Sequence, residues 1–196
     1  MNKFATNLKS SFNELKNLKS ISICALFMAL SIILGSLSFQ ITPTIKVGLA
    51  FICNSMIGLM FGPITGAVFG GVSDILKYIV APTGVFFPGF TISAILGGFI
   101  YGIGMYKKPV SILRCAITKL VVIVIVNIVL NSIWLRIMYH TPIEYLLTTR
   151  IVKELIMYPI ETALFIIAVN SLKSPLSKMH LATYKPMKAI KNKSNI

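Results

Sequence analysis

The sequence predicts an all-α, polytopic membrane bundle of six transmembrane helices with both termini cytoplasmic. Three observations lead there. Of the 196 residues, 56% are hydrophobic and only 12% charged, with a mean hydropathy of +0.84, whereas soluble domains carry about 25% charged residues. Apolar runs long enough to cross a hydrocarbon core of about 30 Å recur along the chain, separated by proline, glycine and polar breaks. The cations gather on one side of that layout. Lys3, Lys9, Lys16, Lys19, Lys107, Lys108, Arg114 and the lysines after residue 172 face only Lys46, Lys77, Arg136, Arg150 and Lys153 on the other, so the positive-inside rule puts both ends in the cytoplasm.

Residues 1–19 form a basic amphipathic segment. Phe4, Leu8, Phe12 and Leu15 recur at helical steps among the lysines, which fits either an interfacial helix on an anionic leaflet or a frayed polar tail. The membrane domain occupies 20–172. Its first span, 20–39, contains Ala25 and Ala29, a small-residue step that admits a close helix neighbour. A proline-containing external loop at 40–46 precedes a short second span at 47–61, and Gly62-Pro63 turns the chain into a third, 64–80. That span carries Gly66, Gly70 and Gly71, another close-packing face, followed by Asp74 with Lys77 at i+3. An aromatic, proline-broken loop ending in Val85-Phe86-Phe87-Pro88-Gly89-Phe90 leads to a glycine-rich fourth span at 91–106. The fifth, 110–139, exceeds what a bilayer needs and must tilt or project. It holds Lys119, Asn127, Asn131 and Trp134. The sixth span is 148–172, and 173–196 is a polar basic cytoplasmic tail.

The composition also excludes function classes. A formal net charge of +14 would point to nucleic acid in a soluble protein, but here topology accounts for the cations and no stacking-aromatic array accompanies them. Cys24, Cys53 and Cys115 are isolated in apolar runs, with neither metal-ligand nor disulfide spacing. No nucleophile with a plausible base and no nucleotide-binding Gly-x-x-x-x-Gly-Lys loop occurs, so neither catalysis nor a cofactor is expected, and any energy from ATP must come through another polypeptide. The N-terminal apolar run is too long for a signal peptide and lacks a cleavage site.

The chemistry concentrates in the last span. Arg150, Glu154, Tyr158 and Glu161 follow one another at steps of three or four and share a helix face, with Lys153 beside them. A charge at the bilayer centre costs about 2.5–3.5 kcal/mol, so this face must line a bundle interior, a cavity or an ion pair. Lys119 lies about 16 Å along its helix from Lys108, and Glu161 about 18 Å from Lys173, at 1.5 Å per residue. Glu161 and Asp74 are therefore expected as structural partners of Lys119 or of backbone groups.

Several motifs resemble the substrate-binding S components of energy-coupling factor vitamin transporters. They are Leu59-Met-Phe-Gly-Pro-Ile-Thr-Gly66, Gly71-Val-Ser-Asp74 and the Ala25-xxx-Ala29 step. The Phe86–Phe90 loop, Asn131-Ser-Ile-Trp134, Arg150-Ile-Val-Lys153 and Tyr158-Pro159-Ile160 are similar to those of the folate-specific members. The resemblance implies a non-catalytic binding subunit in the cell membrane that captures vitamin outside. It implies docking, through Ala25, Ala29, Gly66 and Gly70, on a transmembrane coupling subunit driven by two cytoplasmic ATPases.

Folate joins a flat pterin and a benzoyl ring to a glutamate with two carboxylates, and the residues suit it. Arg150 is able to grip a carboxylate through two hydrogen bonds, with Lys153 adding a point charge. Phe86, Phe87 and Phe90 are placed to cover a ring. Asn127 and Asn131 present amides either to a ligand or to a neighbouring helix, and Glu154 pairs either with the pterin or with Arg150. The alternative ligands are riboflavin, pantothenate, thiamin or a related pyrimidine. Two adjacent cations disfavour cationic thiamin.

Overall fold

The computed structural model describes residues 3–37, 39–42, 45–82 and 84–178. The described chain is helical apart from one hairpin. Helix α1 covers Lys3–Glu14, α2 Leu18–Ser36, α3 Phe51–Phe61, α4 Pro63–Val80 and α5 Pro88–Met105. Then α6 covers Ile112–Val122, a π-helical stretch Ile123–Leu130, α7 Asn131–Tyr139 and α8 Ile143–Lys178. The stretch from α6 to α7 is one continuous helix, Ile112–Tyr139. The connection expected as an irregular loop at 40–46 is instead a hairpin, with β1 (Phe39–Thr42) antiparallel to β2 (Ile45–Val47) and Phe39 opposite Val47. Ile41, Thr42, Ile45 and Val47 are β-branched, which favours extended backbone over helix. Accordingly the second span begins at Phe51, not at residue 47.

Lipid-like exposure marks the outer surface. Leu26, Leu30 and Ile33 on α2, Val68, Val72 and Ile79 on α4, and Leu155, Ile156 and Ile167 on α8 are all exposed. In water such a belt would drive aggregation; in a bilayer it is the solvated face. Leu18–Ser36, Pro88–Met105 and Ile112–Tyr139 are each long and apolar enough to cross a membrane. Helix α3 is apolar but for Asn54 and Ser55 and only 11 residues long, and it sits at the centre, with Cys53, Met56, Ile57 and Phe61 sealed from solvent.

Small residues bring α3, α4 and α5 together. A Cβ on Gly66 would lie 2.6 Å from the Gly98 carbonyl oxygen, and one on Gly70 would collide with the Ala94 carbonyl. The turn from α3 to α4 depends on Gly62, whose φ of +91° suits glycine, with Pro63 at the first helical position. Helix α1 is neither frayed nor free-standing. Its buried Ser11 hydroxyl accepts from the Ile64 and Thr65 amides at 3.1 and 3.2 Å, while Thr65 Oγ1 donates to the Ser11 carbonyl at 2.8 Å. A residue distant in sequence thereby caps α4.

At the other end of the chain, α8 begins before the expected residue 148. It passes through Pro159 unbroken and continues to Lys178. The rest of the basic tail expected at 173–196 lies outside the described residues.

Candidate ligand-binding cavity

At the end of the bundle near the β1–β2 hairpin and the 84–87 connection, the helices enclose a cavity of about 450 Å³. Its cationic wall comes from α8, where Arg150 and Lys153 face the π-helical stretch and α7. Arg150 Nη1 donates to the Asn127 carbonyl oxygen at 2.9 Å. Asn127 Nδ2 donates to Glu154 Oε1 at 3.1 Å, and Lys153 Nζ meets the same oxygen at 3.1 Å. Glu154 thus engages Lys153 and Asn127, and its other oxygen is buried without a hydrogen bond among the described residues. Arg150 and Glu154 are oriented before any ligand arrives, because each holds Asn127 on the facing helix, while Lys153 is tied to Glu154 on its own helix.

Aromatic rings form the opposite rim. Phe87, in extended conformation, caps α5 ahead of Pro88, and its ring lies 5.9 Å from Trp134 and 6.0 Å from Phe90. Trp134 is anchored by donating Nε1–H to Ser93 Oγ at 3.0 Å, while Phe86 leans on Tyr78 at 5.0 Å. Phe86, Phe87 and Phe90 all line the cavity, as do Asn127, Asn131, Arg150 and Lys153.

Two groups were not singled out from sequence as cavity residues. Lys77 reaches the cavity from α4 because Gly35 on α2 leaves room for its stem: a Cβ there would be 2.8 Å from Lys77 Cδ. Lys119 and Glu161 form a 2.6 Å ion pair at the cavity wall, with side chains only 3% and 10% exposed. The Lys119 ammonium also sits 3.9 Å from the centre of the Phe51 ring. Asp74 accepts from Thr91 Oγ1 at 2.8 Å. Glu161 is thus the acid that pairs with Lys119, whereas Asp74 ties α4 to α5.

Four expected site residues fall elsewhere, and the first is Glu154, which is buried beside Asn127 and Lys153 and is not among the cavity-lining residues. Tyr158 is not among the cavity residues; its hydroxyl donates to the Ala116 carbonyl at 3.1 Å and fastens α8 to α6. Gly66 and Gly70, expected on a docking surface, are buried against α5. Their lack of a side chain serves an internal contact. Ala25 and Ala29 on α2 do face outward.

Comparison with known proteins places this geometry. A family model described as "ECF transporter, substrate-specific component" matches residues 19–169. The "Folate transporter FolT" of Clostridium novyi is 44% identical over 124 residues, covering 63% of this chain and 72% of that protein. That of Leuconostoc mesenteroides is 32% identical over 155 residues, covering 76% and 83%. A solved structure described as "Crystal structure of FolT bound with folic acid" superimposes with a TM-score of 0.74 at 31% identity, covering 80% of this chain and 96% of that one. The chain therefore belongs to the substrate-specific components of ECF transporters, multi-pass proteins of the cell membrane.

Proposed function

We propose that this chain captures folate from outside the cell and delivers it through an ECF transporter. The observation that carries the reading is the pairing of Arg150 and Lys153 on one cavity wall with the Phe86, Phe87 and Phe90 rim on another. A dianionic tail attached to flat rings needs both. The relatives named as folate transporters, and the likeness to a FolT structure with folic acid, support the same ligand. In this reading six helices span the bilayer, both termini are cytoplasmic, and the cavity opens outward. Glu154 contributes a buried acceptor beside the ligand. Uptake proceeds through a coupling subunit and two ATPases, as befits a transporter's substrate-specific component, and Ala25 and Ala29 on the exposed face of α2 offer that partner a surface for close helix approach.

The test is a titration of the purified full chain with folate, competed by riboflavin, pantothenate and thiamin. Saturable folate binding that none of these displaces at a tenfold excess is the expected result. A competitor that binds more tightly than folate would reassign the subunit to that vitamin.

A further inference from the structure

Helix α1 is fastened to the bundle by its polar side. Ser11 caps α4 through the Ile64 and Thr65 amides. Beside it, Ser10 Oγ accepts from Lys107 Nζ at 2.7 Å and lies 3.2 Å from the hydroxyl of buried Tyr106, just past the end of α5. Glu14 accepts from Ser20 Oγ at 2.6 Å, which ties α1 to the first turn of α2. Glu14 stands four residues from Ser10 and three from Ser11, so these polar groups share one side of the helix. The stripe of Phe4, Leu8, Phe12 and Leu15 is therefore not what holds α1 to the protein. Phe4 and Phe12 keep 52% and 49% of their surface exposed. Exposed Lys9 and Lys16 flank them, and the Lys16 ammonium sits 5.5 Å from the centre of the Phe12 ring.

A helix with its polar side against the protein and its apolar stripe outward inverts the arrangement found on a water-soluble core. Charge narrows what covers the stripe. Lys9, Lys16 and Lys19 lie on or just after α1, and Lys107, Lys108 and Arg114 at the turn from α5 to α6 that Ser10 holds, whereas Glu14, taken up by Ser20, is the one acid in these two segments. The lipid-exposed face of α2 begins at Leu18, four residues past the end of α1. Phenylalanine and leucine on one side with lysines beside them suit a helix lying in a membrane interface, and anionic headgroups supply the opposite charge. Resting on the cytoplasmic placement of the N-terminus, we propose that α1 binds the anionic surface of the inner leaflet, with Phe4 and Phe12 at the boundary of headgroups and acyl chains and Lys9 and Lys16 on the lipid phosphates. The hydrogen bonds of Ser10 and Ser11 pass that grip to the α3–α4 turn and to the end of α5.

The test places an environment-sensitive nitrobenzoxadiazole fluorophore on A5C, an exposed position two turns from Phe12 on the same side of α1. The full chain is reconstituted into nanodiscs of phosphatidylcholine, alone or mixed with phosphatidylglycerol, and the parent treated with the same reagent corrects for Cys24, Cys53 and Cys115. Emission should shift to the blue in the anionic discs. K9Q/K16Q and F4S/F12S should each abolish that shift while keeping the parent's Tm in detergent, which shows them folded. Equal emission in both kinds of disc, or a shift that survives K9Q/K16Q, overturns the proposal. A shift that appears only when the coupling subunit is added overturns it too, because the stripe then belongs to a protein partner. In right-side-out vesicles a membrane-impermeant quencher should leave the label untouched; quenching there would overturn the cytoplasmic placement itself, whatever the discs show.

Discussion

Removing one member of the Lys119–Glu161 pair should destabilise the bundle, and removing both should restore it. The two charges are 2.6 Å apart and nearly closed off from solvent. In such a setting, loss of one partner leaves an uncompensated charge and costs about 3–5 kcal/mol, whereas replacing the whole pair with apolar groups of similar volume is close to neutral. The structure adds an asymmetry. Lys119 keeps the Phe51 ring 3.9 Å away when Glu161 is gone, and a desolvated cation over a ring retains roughly 2 kcal/mol. Among the described residues no second cation pairs with Glu161, so K119M should cost the full 3–5 kcal/mol and E161M nearer about 2. At about 2–4 °C per kcal/mol for a chain of this size, K119M loses roughly 10 °C in Tm. K119M/E161M should return to within a few degrees of the parent. The assay is thermal unfolding of the detergent-solubilised proteins, followed by the fluorescence of Trp134, the single tryptophan. Losses that simply add in the double variant would refute the reasoning, because independent sites add and a coupled pair does not.

Other outcomes follow from the same contacts. G66L should sharply lower the yield of folded protein, because even a Cβ would sit 2.6 Å from the Gly98 carbonyl. In contrast, A25L, on the exposed face of α2, should leave Tm within about 1 °C and show its effect only in uptake with the coupling subunit; equal yields for the two variants would contradict the placement of Gly66. S11A removes the cap that α1 supplies to α4 and should cost about 1 kcal/mol, read as faster proteolytic cleavage between α1 and α2. R150A should weaken folate binding by about 1.5–3 kcal/mol through the lost charged hydrogen bond, with pteroate binding much less affected. An equal loss for both ligands would mean that Arg150 only holds the Asn127 carbonyl.

The sequence was most legible where physics leaves a charged group one place to go. Arg150, Lys153 and Glu154 sit on a helix whose neighbours Ile151, Val152, Leu155 and Ile156 are exposed, so the charges had to turn inward, and counting helix rise was enough to match Lys119 with Glu161. Small-residue steps were less informative. A four-residue glycine spacing says that something approaches closely without naming it, and Gly66 and Gly70 proved to meet α5 inside the bundle. Lys77 was hidden for a related reason: at i+3 from Asp74 it reads as a local ion pair, and only the notch at Gly35, a neighbour distant in sequence, frees a path to the cavity. Tyr158 shares a face with Glu154 on a helical wheel, but its long side chain bridges to Ala116 instead. The π-helical winding over Ile123–Leu130 leaves no trace in a run that is apolar but for Asn127.

That winding bears on how the site works. A π-helical stretch breaks the regular i to i+4 ladder, and within it the Asn127 carbonyl takes a hydrogen bond from Arg150 while its amide reaches Glu154. One residue therefore holds two α8 groups of opposite charge, Arg150 and Glu154. Arg150 lies in the field of the same Glu154 carboxylate, and Lys153 is already partly neutralised by it. Because Arg150 and Glu161 belong to one unbroken helix, their spacing along the cavity wall is set by helix rise.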